Sequence, residues 1–180
     1  VPPSRPVEVI AAMLAGGHPN SLGRTGEVVG LVVADRSRLQ ELVECYRSGD
    51  PVVRMRTSSA LKRVEAAHHA WLVPLLDELI DDVGTLDQPS ARWTLAELFL
   101  RLGADMTAGQ RDRATALLKR NLEQQTDWIV LIRTMDTLFQ WSDGDPGLRT
   151  WLQPHLRRLA NDTRRSVARR AQELAAVDTP

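Results

Sequence analysis

Trp71-Leu72-Val73-Pro74-Leu75-Leu76 and Trp151-Leu152-Gln153-Pro154-His155-Leu156 share Trp, Leu, Pro and the final Leu at a separation of 80 residues. Two units of about 40 residues would produce that separation. A second pattern falls between the copies. Asp50-Pro51-Val52-Val53-Arg54-Met55-Arg56 sets Asp and Arg six apart around an apolar pair, and Asp127-Trp128-Ile129-Val130-Leu131-Ile132-Arg133 repeats it 77 residues later. Alternate helix starts near 50, 88, 126 and 162 are therefore spaced by about 36–38 residues. A helix pair recurring at that period marks stacked helical repeats, because one pair is too small to bury its own apolar face and neighbours must cover one another.

Outward from these repeats the punctuation is helical. Asp50-Pro51 reads as an N-cap followed by Pro at the first helical position, where the missing N–H costs nothing. Gln88-Pro89 and Asp145-Pro146 have the same Pro placement. Thr107 and Gln110 are spaced as a capping box, and Thr126-Asp127 and Asn161-Asp162 are further cap candidates. Gly49, Gly84, Gly103 and Gly144 follow apolar segments and read as stops. Between these marks the apolar spacing is that of helix faces: Leu39, Leu42, Val43, Tyr46; Val53, Ala60, Leu61, Val64; Leu95, Leu98, Phe99, Leu102; Leu117, Leu118, Leu122; Leu131, Met135, Leu138, Phe139. The expectation is an all-α chain of ten helices near 6–15, 25–34, 37–47, 51–66, 70–83, 89–103, 108–122, 127–141, 147–160 and 162–177. Short connections predict antiparallel neighbours, with no linker between domains. Residues 16–24 form the loosest stretch.

Composition narrows the function classes. With 43% hydrophobic and 26% charged residues the chain is not a disordered one. A net charge of 0 advertises no nucleic-acid or membrane partner. Cys45 is the one cysteine, so neither an internal disulfide nor a thiolate metal cluster can form. No apolar run approaches the ~20 residues that span a bilayer, and Val1-Pro2-Pro3-Ser4-Arg5-Pro6 lacks the apolar core of a signal peptide. A cytoplasmic address and no membrane partner are expected. Lys62 and Lys119 are the only lysines beside many arginines, a skew that a GC-rich bacterial genome accounts for.

The chain resembles the HEAT-repeat superfamily. A Pro in the first helix of the unit, then Asp and Arg around the second, is that family's pattern, and Pro74, Pro154, Asp50, Arg56, Asp127 and Arg133 carry it. In the second unit Gln88 and Thr94 stand where Asp and Arg would be. Asn20-Ser21-Leu22-Gly23-Arg24-Thr25 with the Asp50–Arg56 unit also looks like bacterial HEAT-like proteins, which brings no activity with it. The resemblance implies one domain over 1–180: a right-handed α-α superhelix of four helix pairs over 36–177, preceded by two capping helices within 1–35. It also implies that the recurring Asp and Arg hydrogen-bond between neighbouring units, and that second-of-pair helices line a concave face.

Candidate sites are few. The Gly17–Thr25 loop has the wrong glycine spacing for a phosphate loop and Arg24 where Lys is required; a weaker reading lets backbone N–H groups and Arg24 hold an anion. His68 and His69 are adjacent and point about 100° apart on a helix, so they cannot chelate one ion. Asp77, Glu78, Asp81 and Asp82 read as a solvated acidic face, and no serine, Cys45 or His-Glu motif offers a nucleophile or a metal centre. No catalytic residue, metal or cofactor is expected.

Charge is unevenly placed. From 64 to 91 there is no Lys or Arg, but there are Glu65, Asp77, Glu78, Asp81, Asp82 and Asp87. At the C-terminal end Arg149, Arg157, Arg158, Arg164, Arg165, Arg169 and Arg170 stand against Asp162. This end reads either as a solvated cap or as a basic surface for an anionic partner. Trp71 and Trp151 read as core. Trp93 and Trp128, early in second-of-pair helices, read either as core or as concave-face anchors for protein or nucleic acid. The leading expectation is a non-catalytic module that binds a protein or peptide, or another copy of itself through its acidic and basic ends. Candidate contact residues are Trp93, Trp128, Arg24, Arg158, Arg164, Arg165 and Arg169. The alternative is nucleic-acid binding, including a likeness to HEAT-like glycosylases that excise alkylated bases. That likeness would cast Trp93, Glu97 and Arg133 as tryptophan, carboxylate and arginine.

Overall fold

A computed structural model describes residues 6–177 of the chain. Those residues are all-helical, with no strand, and hold ten α-helices: α1 Pro6–Leu14, α2 Thr25–Ala34, α3 Leu39–Glu44, α4 Pro51–Ala67, α5 Leu76–Asp81, α6 Pro89–Leu102, α7 Ala108–Gln124, α8 Trp128–Trp141, α9 Pro146–Leu159 and α10 Arg165–Val177. No helix among them is long and apolar enough to cross a membrane.

The expected start signals are in place. Asp50 accepts from Val52 N at 2.8 Å, and Asp127 from Ile129 N and Val130 N at 2.9 and 3.0 Å. Asp145 accepts from Leu148 N at 2.9 Å, ahead of Pro146 in the first turn. Thr107 and Gln110 make both bonds of the capping box. These bonds reach only two or three residues along the chain, so local sequence decides them.

Two expected helices are instead broken. Only Leu39–Glu44 of 37–47 is α-helical, flanked by 3₁₀ turns at Arg36–Arg38 and Cys45–Arg47. The segment 70–83 opens as 3₁₀ turns at His69–Trp71 and Val73–Leu75 before α5. Pro74 has no N–H to give and disfavours the α conformation in the residue before it. Pro154, in the second copy of the motif, sits inside α9, a helix already started by Asp145 and Pro146. Sequence-equivalent stretches thus fold differently. The last helix begins at Arg165, not 162, because Asp162 accepts from Arg164 N at 2.9 Å and holds a turn there. Of the four expected glycine stops, only Gly144 has a positive φ, 82°. Gly103 is required by close packing instead, since a Cβ there would lie 2.7 Å from Arg111 Nη1 and 3.0 Å from Trp141 Nε1.

Two compact units divide the chain, Val1–Thr94 and Leu95–Pro180, and the division falls within α6 and not in a linker. In the first unit α2 lies along α4, and α1 touches α2, α3 and α4. Its core includes Ile10, Leu14, Val28, Leu42, Leu61, Leu72 and Leu79. In the second unit α7 packs on α8, α9 on α10, and α8 on both α9 and α10, around Leu98, Phe99, Leu118, Leu122, Met135, Leu138 and Leu152.

Several side-chain bonds join residues 34–41 positions apart. In the first unit Gln40 donates to Glu78, 38 residues on, and Arg54 Nε donates to Gln88 Oε1, 34 on. Gln88 also donates to Pro51 O, 37 back. In the second, Thr137 donates to Ala96 O, 41 back, Arg158 to Leu122 O, 36 back, and Arg170 to Asp136, 34 back. Gln88 therefore joins the start of α6 to the start of α4.

Thr134 in α8 is fully buried and its hydroxyl has no hydrogen-bond partner. A buried, unpaired hydroxyl is a desolvation cost that a methyl group of the same shape removes. Thr134→Val should therefore raise thermal stability by up to about 1 kcal/mol, read as an increase in Tm by circular dichroism. A fall in Tm would show that the hydroxyl has a function in the fold.

Candidate functional site

The loop between α1 and α2 is built around Arg56. This side chain of α4 is 0% exposed. Its Nη1 donates to Leu14 O and Gly16 O, both at 2.6 Å. Nε donates to Ser21 O at 2.9 Å and Nη2 to His18 O at 3.1 Å. The planar guanidinium fork suits such divergent acceptors, which a lysine could not reach together. Gly23, at φ 50°, leaves room for the fork, since a Cβ there would lie 2.9 Å from Arg56 Cζ. The resemblance expected the recurring Asp and Arg to bond between units. Arg56 bonds the loop between α1 and α2, within the expected cap, and Arg133 pairs with Glu97 of α6, whereas Asp50 and Asp127 are spent as N-caps.

Several donors of this loop are already used, while the first turn of α2 has no side-chain cap. Asn20 N goes to His18 Nδ1, Ser21 N to His18 O, and Gly23 N to Ser21 Oγ. Arg24 is paired with Glu27 through Nη2–Oε2 at 2.8 Å and Nε–Oε1 at 3.1 Å. That carboxylate holds the Arg24 pKa up and is itself held low. An incoming anion would have to displace it.

The C-terminal arginines are mostly engaged as well. Arg158 is tied to Leu122 O at 3.1 Å. Arg164 clasps Asp162 at 2.6 and 2.7 Å and donates to Thr126 O. The Arg164 side chain pulls the Asp162 carboxyl down to about 2. Arg169 lies 3.8 Å from Glu173, and Arg170 holds both Asp136 and Glu173 at 2.6 and 2.9 Å. Arg165 is exposed at the first turn of α10. Arg158 and Arg170 thus tie helices together, whereas Arg157, Arg165 and Arg169 are exposed.

Glu97 and Arg133 are joined directly, Arg133 Nε to Glu97 Oε1 at 2.7 Å, with Asp136 3.8 Å from Arg133. Arg133 is 47% exposed, unlike Arg56 at the same repeat position. The pairs Glu97–Arg133, Asp136–Arg170 and Arg170–Glu173 run from α6 through α8 to α10 as a charge ladder of alternating sign.

The tryptophans part company. Trp93 is half-buried. Trp128, the first residue of α8, is 49% exposed and does not serve the core. Trp71 and Trp151, expected in the core, are half-buried and sandwiched instead. Trp71 stacks on His68 at 3.9 Å with Arg36 over the ring at 5.7 Å. Trp151 meets His155 at 4.2 Å with Lys119 at 4.7 Å. Burial and the neighbouring Arg158 lower the His155 pKa. Trp141 is buried, with Arg111 3.5 Å over its ring at the edge of an open cleft of about 620 Å³. The sequence reading missed these cation–indole pairs; Arg36 and Lys119 stand about one repeat before their rings, the one signal that could have found them.

Cys45 is buried, and desolvation pushes its thiol up to about 11, so it is no nucleophile. Among the described residues no group of three or more His, Cys, Asp or Glu side chains is arranged to hold a metal ion. No family model, curated protein or solved structure matches this chain.

Proposed function

We propose that this protein is a non-catalytic interaction module, a HEAT-like right-handed α-solenoid that binds a protein or peptide partner. Its four helix pairs would be α3–α4, α5–α6, α7–α8 and α9–α10, with α1 and α2 as the cap. Support for stacked repeats comes from the packing of alternate helices, α2 on α4 and α8 on α10, and from bonds that span one repeat length.

The observation that carries the binding reading is Trp128. A large ring left 49% exposed on the first turn of a regular helix gives up burial that a core position would provide. Such rings are enriched among residues that dominate protein interfaces. Because it adds little to the core, Trp128→Ala should leave the circular dichroism spectrum and Tm close to wild type. It should weaken a bound partner by about 30-fold or more, the effect of losing a ~2 kcal/mol anchor. Wild-type and Trp128→Ala baits run side by side, followed by calorimetric titration of what is captured, make the test; equal affinity for both baits would sink this reading.

The competing reading uses Trp128 as a base-stacking platform. It needs guanidinium groups open to phosphate; Arg158, Arg164 and Arg170 are already held by carbonyls or carboxylates, whereas Arg165 and Arg169 are exposed. Fluorescence anisotropy with labelled single- and double-stranded DNA distinguishes the two, since a nucleic-acid complex weakens steeply between low and physiological salt.

A further inference from the structure

In the first unit, Val43 and Tyr46 at the α3 end and Val83 and Leu86 after α5 wall a notch of about 80 Å³. Pockets for cofactors and metabolites measure ~300–1,000 Å³. This one is sized for a single branched aliphatic side chain. Its floor is fixed: Tyr46 is buried and its hydroxyl bonds Ser58 at 2.8 Å. Its rim is charged, with Glu78 and Asp82 on one side. Arg47 is also at the rim, 72% exposed and 3.8 Å from Glu78, which also accepts from Gln40 at 2.9 Å. Asp82 is exposed. The rim thus carries two carboxylates against one guanidinium, a net negative charge.

We propose that this notch docks a basic peptide segment in which one aliphatic side chain is flanked by lysines or arginines. The aliphatic group fills the apolar walls, and the cations meet Glu78 and Asp82. An acidic segment or a phosphate backbone would face like charge at the rim. Trp128 is not among the residues that line the notch, and the proposal does not depend on it.

The probe is the acetylated, amidated peptide Lys-Lys-Leu-Lys-Lys, titrated into the ¹⁵N-labelled protein and followed by amide chemical shifts. Saturable shifts should cluster at Val43, Val83 and Leu86. Replacing the central Leu by Ser should weaken binding about tenfold, and Glu-Glu-Leu-Glu-Glu should produce no shifts. Asp82→Lys reverses an exposed charge at the rim and should abolish the shifts. Glu78→Gln should weaken them and serves if Asp82→Lys does not fold. Absence of shifts at millimolar peptide, shifts centred elsewhere, or equal binding of the Ser peptide would each overturn the proposal. None of these outcomes bears on the Trp128 test.

Discussion

Arg56→Ala should destabilise the first unit by about 3–5 kcal/mol, because the backbone carbonyls that it ties lose their donor while enclosed in the fold. The guanidinium donates to Leu14, Gly16, His18 and Ser21 carbonyls, and bonds to a charged donor contribute about 1.5–3 kcal/mol each before desolvation of the cation is subtracted. For a chain of this length that corresponds to a fall in Tm of roughly 10 °C. Arg56→Lys should recover less than half of the loss, because an ammonium cannot reproduce the divergent fork. The loop amides of Ser21, Gly23 and Thr25 should also exchange faster with solvent in both variants, as the turn bonds they make depend on the clamp. A loss below about 1 kcal/mol in Arg56→Ala would mean that the loop holds itself and the clamp is incidental.

Phe99→Ala should cost about 3–5 kcal/mol, and Phe139→Ala only about 1–2. Both residues fall on apolar stripes of the same spacing. Phe99 is fully buried in α6, in a core shared with Leu95, Leu98 and Leu102. Its removal leaves a cavity that those neighbours cannot fill without shifting. Phe139 is half-buried near the end of α8, with the Arg149 guanidinium 4.6 Å over its ring. Truncating it loses part of an apolar contact and one cation–π pair, and opens no enclosed cavity. Urea unfolding of the two variants checks the contrast; equal losses would place Phe139 in the core after all.

These expectations separate stability from binding. Arg56 and Phe99 act on the scaffold, whereas Trp128 and the rim of the α3–α5 notch can be changed with the scaffold intact. A partner lost on Trp128→Ala with unchanged Tm would identify an interface residue, which the same loss on Arg56→Ala would not.

Helix content and most helix boundaries were legible in the linear order of residues because the forces that set them are local. Asp50, Thr107, Asp127 and Asp145 each satisfy backbone donors two or three residues away, and apolar spacing along one helix marks its inner face without reference to anything else. Side-chain bonds that join residues 34–41 positions apart fall at chain distances close to the spacing of the sequence motifs. Burial was not legible, because it depends on which other segment covers a position. Arg56 and Arg133 share a place in the repeat, yet the first is enclosed by the 14–21 carbonyls and the second lies in an exposed charge ladder. Trp93 and Trp128 share a place near helix starts, yet one is half-buried and the other open. The arginines of the C-terminal end read in sequence either as a solvated cap or as a basic surface, and the partners that engage Arg158, Arg164 and Arg170, namely Leu122, Thr126 and Asp136, lie 34–38 residues away. Local chemistry chose the helices; contacts between residues far apart in the chain chose which side chains are spent on the fold and which are left exposed.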